Sequence, residues 1–161
     1  ALAVLCIVYA GLFIGFIVQL RFVGGAQWNT VPLIALLVIV KFSDIGAYTV
    51  GRLAGRHKLA PKISPGKTIE GSAGGLFANL VVGAIGKALF FPALPWPASI
   101  LFFIAVGAAG QIGDLFESEM KRYSGIKDSS NILPGHGGIL DRIDALLFAS
   151  PVAFVFIRFI F

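Results

Sequence analysis

One cysteine, Cys6, stands in the whole chain, inside an apolar run, so neither a disulfide framework nor a thiolate metal site can be built within it. Histidine is almost as scarce. His57 and His136 lie far apart, and no i,i+4 pair or HExxH pattern exists to hold zinc. Charge is thin as well: charged residues make up 13% of the chain, against about a quarter in soluble domains, while 57% is hydrophobic and the mean hydropathy is +0.90. That balance excludes a soluble globular domain and indicates an integral membrane protein. An initiator methionine and a charged leader are missing at Ala1, which leads to the expectation of a single transmembrane domain, 1–161, forming the C-terminal part of a longer protein. Internal repeats and low-complexity tracts are absent too.

What is there is a series of long apolar runs. Each crossing of a ~30 Å hydrocarbon core takes about 20 helical residues, and runs of that length fall near 1–20, 31–50, 72–91, 98–117 and 139–161. The expected fold is therefore all-α, a bundle of about five transmembrane helices with polar cytoplasmic loops. Breaks are marked by Gly24-Gly25, by Pro61, Pro65 and Gly66, by Pro92, Pro95 and Pro97, and by Ser124-Gly125 with Pro134-Gly135. Lys and Arg set the orientation. Arg52, Arg56, Lys58, Lys62 and Lys67 follow the second run and Lys121, Arg122 and Lys127 the fourth, so both of these loops are expected in the cytoplasm. The net charge of +5 gathers on that face, where anionic headgroups or a triphosphate would be attracted. Small residues such as Gly71, Gly74, Gly75, Gly107, Gly110 and Gly113 allow helix backbones to approach, and permit a homodimer. Lys87 and Arg158, near run ends, are expected to snorkel to an interface.

Most of the acidic residues collect near the fourth loop. Asp114 and Glu117 stand three apart at the end of one run, and Asp141 and Asp144 repeat that spacing at the start of the next, so each pair shares a helix face. Two such pairs can converge on a hard cation such as Mg²⁺, which takes carboxylate, water and phosphate oxygens; the alternative is acids that merely face water. Carboxylates in apolar helices are costly and usually functional. Lys121, Arg122, Lys127 and Arg142 supply donors for phosphoryl oxygens, and Gly137-Gly138 lets backbone N–H groups near the same anion. His136 is readable either as a phosphate contact or as structural. Gly66-Lys67-Thr68 looks superficially like a phosphate-cradling P-loop, but Pro61 occupies the position of that motif's first glycine, and no strand is expected before it. Lys41 and Asp44, three apart inside the second run, can neutralise each other.

Ser118, Met120, Lys121, Arg122, Lys127, Asp128, Ser130, Leu133, Pro134, His136, Gly137, Gly138, Ile139, Asp141, Arg142, Ile143 and Asp144 fall at the spacing of a known signature. By these residues the chain resembles the phosphatidate cytidylyltransferase (CDP-diacylglycerol synthase) family. Ser64-Pro65-x-Lys67-Thr68 and Asp44-x-x-Ala47-Tyr48-x-x-Gly51 resemble two further blocks of it. The resemblance implies Mg²⁺-dependent attack by the phosphate of phosphatidic acid on the α-phosphorus of CTP, giving CDP-diacylglycerol and pyrophosphate in phospholipid biosynthesis. Residues and resemblance together make Asp114 and Asp141 the expected primary metal ligands. Asp144 and Glu117 join them as further ligands, with a second cation allowed in the cluster. Lys121, Arg122 and Arg142 are expected to act in catalysis, and Asp44, Ser64, Lys67, Thr68, Lys127, Asp128, His136, Gly137 and Gly138 to contact substrate. The expected setting is a prokaryotic cytoplasmic membrane or an equivalent organelle membrane, with membrane lipids as partners and no nucleic acid. Three rivals remain open: a CTP-dependent lipid kinase of the dolichol type, which releases CDP; an ion transporter using the intramembrane charges; and a structural or assembly role.

Overall fold

The computed structural model describes residues 2–23, 30–92, 94–126, 129–130 and 138–160. Apolar runs become the helices α1 (Leu2–Leu20), α2 (Val31–Ala54), α3 (Ile69–Phe90), α4 (Trp96–Tyr123) and α5 (Leu140–Phe159), with two short strands, β1 (Lys58–Ala60) and β2 (Ser64–Thr68), between α2 and α3. The protein is an all-α membrane protein: α2, α3 and α4 are long and apolar enough to cross a bilayer. Bulky side chains such as Ile7, Leu53, Phe77 and Leu89 stand on the outside of the bundle, as expected where hydrocarbon rather than water is the surroundings.

Local chemistry sets the helix ends. Pro32 occupies the first turn of α2, where its missing N–H costs nothing. Thr68 caps α3 by accepting a hydrogen bond from Gly71 N at 3.1 Å. α4 runs beyond its apolar stretch through Glu117, Met120 and Lys121, all good helix formers, and stops where Gly125 takes a φ of +69°. Inside α5, Pro151 removes the N–H that would meet Leu147 O; the Ser150 hydroxyl donates to that carbonyl at 2.9 Å instead.

α2 packs antiparallel to α3, α4 packs along α5, and α1 lies on α5. Leu36, Ile39 and Val40 of α2 meet Phe102, Phe103 and Val106 of α4 and Ala145, Leu146 and Ala149 of α5 in the main core. The small residues work as close-approach points: a Cβ on Gly75 would lie 2.8 Å from Ser43 O. A second aromatic cluster, Tyr9, Phe13, Phe116 and Phe148, joins α1 to α4 and α5 with ring centroids 5.2–5.6 Å apart.

Two expectations are corrected. A strand does precede Pro61, because residues 58–68 form an antiparallel hairpin pairing Lys58 with Thr68 and Ala60 with Ser64. A P-loop is still not formed, since Gly66-Lys67-Thr68 is extended strand in that hairpin. Lys87 does not reach out to water either. It is 4% exposed, its Nζ 3.2 Å from Pro92 O and 4.3 Å from the centre of the Trp96 ring, because α3 ends at Phe90 and the chain folds back over it.

Candidate metal and phosphate site

The end of α2, the hairpin, the start of α3, the end of α4 and the start of α5 meet at one end of the bundle. Residues three apart share a helix face, and one face of α4 carries Gln111, Asp114 and Glu117. Gly113 lets that helix reach α5: a Cβ there would lie 2.7 Å from Phe148 Cβ and 2.8 Å from Asp144 O, an approach no other residue permits. With the backbones so close, one carboxylate oxygen from each of Asp114, Glu117 and Asp144 lies within 4.8 Å of the others. The Tyr9 hydroxyl donates to Asp144 O at 3.4 Å, fixing α1 beside the same turn.

Glu117 is only 1% exposed. Its Oε2 is 2.7 Å from Lys121 Nζ, one turn on, and its Oε1 is buried without a hydrogen-bond donor. A buried carboxylate oxygen left without a partner is expensive. With Asp114, paired to Lys67, and Asp144, whose Oδ1 accepts from Ala145 N, Glu117 forms a donor set suited to a hard divalent cation, and its orphaned Oε1 is an atom such an ion would satisfy.

Asp141, expected as a primary ligand, is joined to this trio through Lys121, whose Nζ lies 2.8 Å from Asp141 Oδ1. Its oxygens are engaged elsewhere too. Ser129 N and Ser129 Oγ donate to Oδ2 at 3.0 Å, and Gly138 N donates at 2.7 Å. Asp141 therefore ties the loop before α5 to the site, and the Gly138 N–H expected for a substrate anion is given to this carboxylate.

A cleft of about 70 Å³ adjoins the trio, lined by Asp44, Lys67, Thr68, Gly71, Ser72, Gln111 and Asp114 among others. Lys67 Nζ is 2.7 Å from Asp114 Oδ2, so the end of β2 sets a cation against the carboxylate-bearing face of α4. Asp44 lies at the rim, 3.8 Å from Lys41, and Lys41 also donates to Arg142 O at 3.3 Å. Arg122 Nε donates to Ile63 O at 3.3 Å, which fastens the hairpin tip to the end of α4. Ser64 is half-buried at the start of β2, and Arg142 is exposed on the first turn of α5. Lys127, Asp128, His136 and Gly137 lie outside the described residues.

Sequence reasoning passed over two residues here. The Ser72 hydroxyl and the Gln111 side chain hydrogen-bond, and Gln111 Nε2 also donates to Ser72 O at 3.0 Å, clasping α3 to α4 at the floor of the cleft. The available signal was an amide one turn before Asp114 in an apolar helix. Glu70 was missed too: it accepts from Arg56 N at 3.1 Å and meets His57 Nδ1 at 2.6 Å, rooting the hairpin on α3.

The model of the Cytidylyltransferase family matches residues 1–160. Over 147 residues the chain is 40% identical to the phosphatidate cytidylyltransferase of Bacillus subtilis (strain 168), covering 91% of this chain and 54% of that protein. Over 117 residues it is 49% identical to the phosphatidate cytidylyltransferase of Staphylococcus haemolyticus (strain JCSC1435), covering 71% and 44%. The uncharacterized protein YnbB of Escherichia coli (strain K12) is 42% identical over 133 residues, covering 83% and 44%. The chain thus spans about half the length of the curated relatives it matches.

Proposed function

This chain belongs to the cytidylyltransferase family, and we propose that it builds the catalytic centre of a phosphatidate cytidylyltransferase, joining CTP and phosphatidic acid into CDP-diacylglycerol and pyrophosphate. The observation that carries this reading is the convergence of Asp114, Glu117 and Asp144 beside the cleft holding Lys67. A phosphate monoester, with a second pKa of about 6, is mostly dianionic at neutral pH. Its oxygen needs alignment and relief from charge repulsion more than it needs a base. That oxygen attacks the α-phosphorus of CTP while the bond from the α-phosphorus to the α,β-bridging oxygen breaks, and pyrophosphate leaves with the bonding pair.

Asp114, Glu117 and Asp144 would hold the divalent ion, Mg²⁺ by the hardness of the donors. When bound, it supplies charge neutralisation at phosphoryl oxygens. Lys67 works from the hairpin side, exchanging its contact with Asp114 for a phosphate oxygen as substrate enters. Lys121 balances Glu117 and Asp141 and so keeps two carboxylates at bonding distance without mutual repulsion. Arg142 and Arg122, at the rim, meet the phosphates of CTP and phosphatidate, and Arg offers the bidentate fork that phosphate suits. Asp141 fastens Ser129 and Gly138 beside the site. The basic end of the bundle faces the cytoplasm on this reading, where CTP is available to a lipid in the inner leaflet.

The test is to incubate the complete protein, reconstituted in vesicles, with CTP, phosphatidic acid and Mg²⁺, with the label placed in turn on the α- and γ-phosphates. Label from the α-phosphate should appear in a lipid product, with release of pyrophosphate. Transfer of γ-label to lipid with release of CDP would instead identify a lipid kinase, and CTP-independent ion flux would identify a transporter.

A further inference from the structure

A second cavity, of about 340 Å³, opens at the end of the bundle opposite the carboxylates, between the starts of α2 and α4 and the end of α3. Its wall is almost wholly apolar, with Ala35, Val38, Val82, Phe90 and Phe102 contributing, and it has the size of a small ligand site. It contains one charge. Lys87 lines it, 4% exposed, with a single carbonyl, Pro92 O, and the face of Trp96 for company. No carboxylate pairs with Lys87 among the described residues: Asp44, Glu70, Asp114, Glu117, Asp141 and Asp144 all belong to the other half of the bundle, as does Glu119. A buried ammonium without an anion is costly, and a carbonyl and a ring cover only part of that cost.

We propose that this cavity binds an anionic phospholipid, with one acyl chain in the apolar chamber and the phosphodiester against the Lys87 ammonium. Trp96 stands at the N-terminal end of α4, where a Trp and a Lys at the same depth mark the headgroup level of a bilayer. Hydrocarbon fits the lining and the phosphate fits the charge. A second copy of the chain lying parallel would bring the same acid-free end alongside and could not neutralise Lys87, whereas an anionic lipid does both tasks. The site is separate from the metal cluster and from the proposed chemistry. It makes the far leaflet a partner of the fold.

Trp96 is a built-in reporter once Trp28, the other of the two tryptophans, is replaced by Phe. The complete protein carrying Trp28→Phe is placed in vesicles of a zwitterionic lipid containing a minor fraction of either phosphatidylglycerol or phosphatidylcholine with brominated acyl chains, which quench Trp on contact. Brominated phosphatidylglycerol should be favoured about fivefold at Trp96, as expected for one basic residue near anionic headgroups. Lys87→Met should remove the preference. Gly86→Leu, whose side chain enters the cavity from a position with nothing within 4 Å, should lower quenching by phosphatidylglycerol to the phosphatidylcholine level. Both variants should keep the parent's rate of CDP-diacylglycerol formation. Equal quenching by the two lipids in the parent, or a preference that survives both substitutions, overturns the proposal. So does a Trp96 that neither lipid quenches, which would mean that protein covers the cavity.

Discussion

Removing Lys121 tests the electrostatic logic of the carboxylate cluster most directly. Its Nζ sits 2.7 Å from Glu117 Oε2 and 2.8 Å from Asp141 Oδ1, with the side chains of Lys121, Glu117 and Asp141 only 17%, 1% and 10% exposed. Lys121→Met keeps the stem and removes the charge, leaving the Glu117 carboxyl without its partner in a place water does not reach, where it either stays charged or takes up a proton. Breaking such a pair from one side costs up to about 3–5 kcal/mol, less where the carboxyl takes up a proton. Glu117→Gln removes the ionisable group, so the double variant should lie within about 1–2 kcal/mol of the parent, a coupling of about 2 kcal/mol or more. The four proteins of the cycle can be compared by equilibrium denaturation in detergent, followed by helical circular dichroism without divalent ions. Mg²⁺ should then stabilise the parent and Lys121→Met alike, by about 2.7 kcal/mol at a hundredfold excess over each protein's dissociation constant, since both keep the three carboxylates. A loss below about 1 kcal/mol in the single variant, or a coupling below about 0.5 kcal/mol, would refute this account of the site.

Asp144→Asn should lower turnover at least about 100-fold while helical content stays unchanged, since even indirect partners of a metal site are worth 10–100-fold; near-parental rates at saturating Mg²⁺ would exclude Asp144 as a ligand. Gly113→Val should cost about 1–3 kcal/mol by overpacking α4 against Phe148 and Asp144 O, and should raise the Mg²⁺ concentration needed for half-maximal rate; an unaltered Mg²⁺ curve would dissociate that contact from metal binding. Arg142→Lys keeps the charge but loses the fork, and kcat/KM should fall by about tenfold; unchanged kinetics would remove the bidentate role.

The helices were readable because each bilayer-length apolar run had to form one; in hydrocarbon a backbone must satisfy its own hydrogen bonds. Where the structure departs from the expected ends, hydropathy was the wrong guide. α4 continues to Tyr123 because Glu117 and Lys121 pair across one turn, so its polar part is helix as well as site. Residues 58–68 read as a turn because of Pro61, Pro65 and Gly66, yet a two-stranded ribbon has free edges and tolerates a proline in its strand. The Ser72–Gln111 clasp was invisible for another reason: each residue is unremarkable on its own helix, and only the packing of α3 on α4 makes them partners.

Spacing could say that Asp141 and Asp144 share a face of α5, but not that they would meet different surroundings. Asp141 lies in the first turn, where N–H groups of the preceding loop have no helical acceptor, and Gly138 N and Ser129 N reach its carboxylate before a neighbouring helix does. Asp144 is one turn deeper, past the reach of that loop, and Gly113 brings α4 to it. An acid at a helix start is thus drawn toward its own chain, while an acid one turn in is left for whatever the next helix presents. Here that is Asp114 and Glu117, and carboxylates so placed stay together by sharing a cation or by taking up a proton.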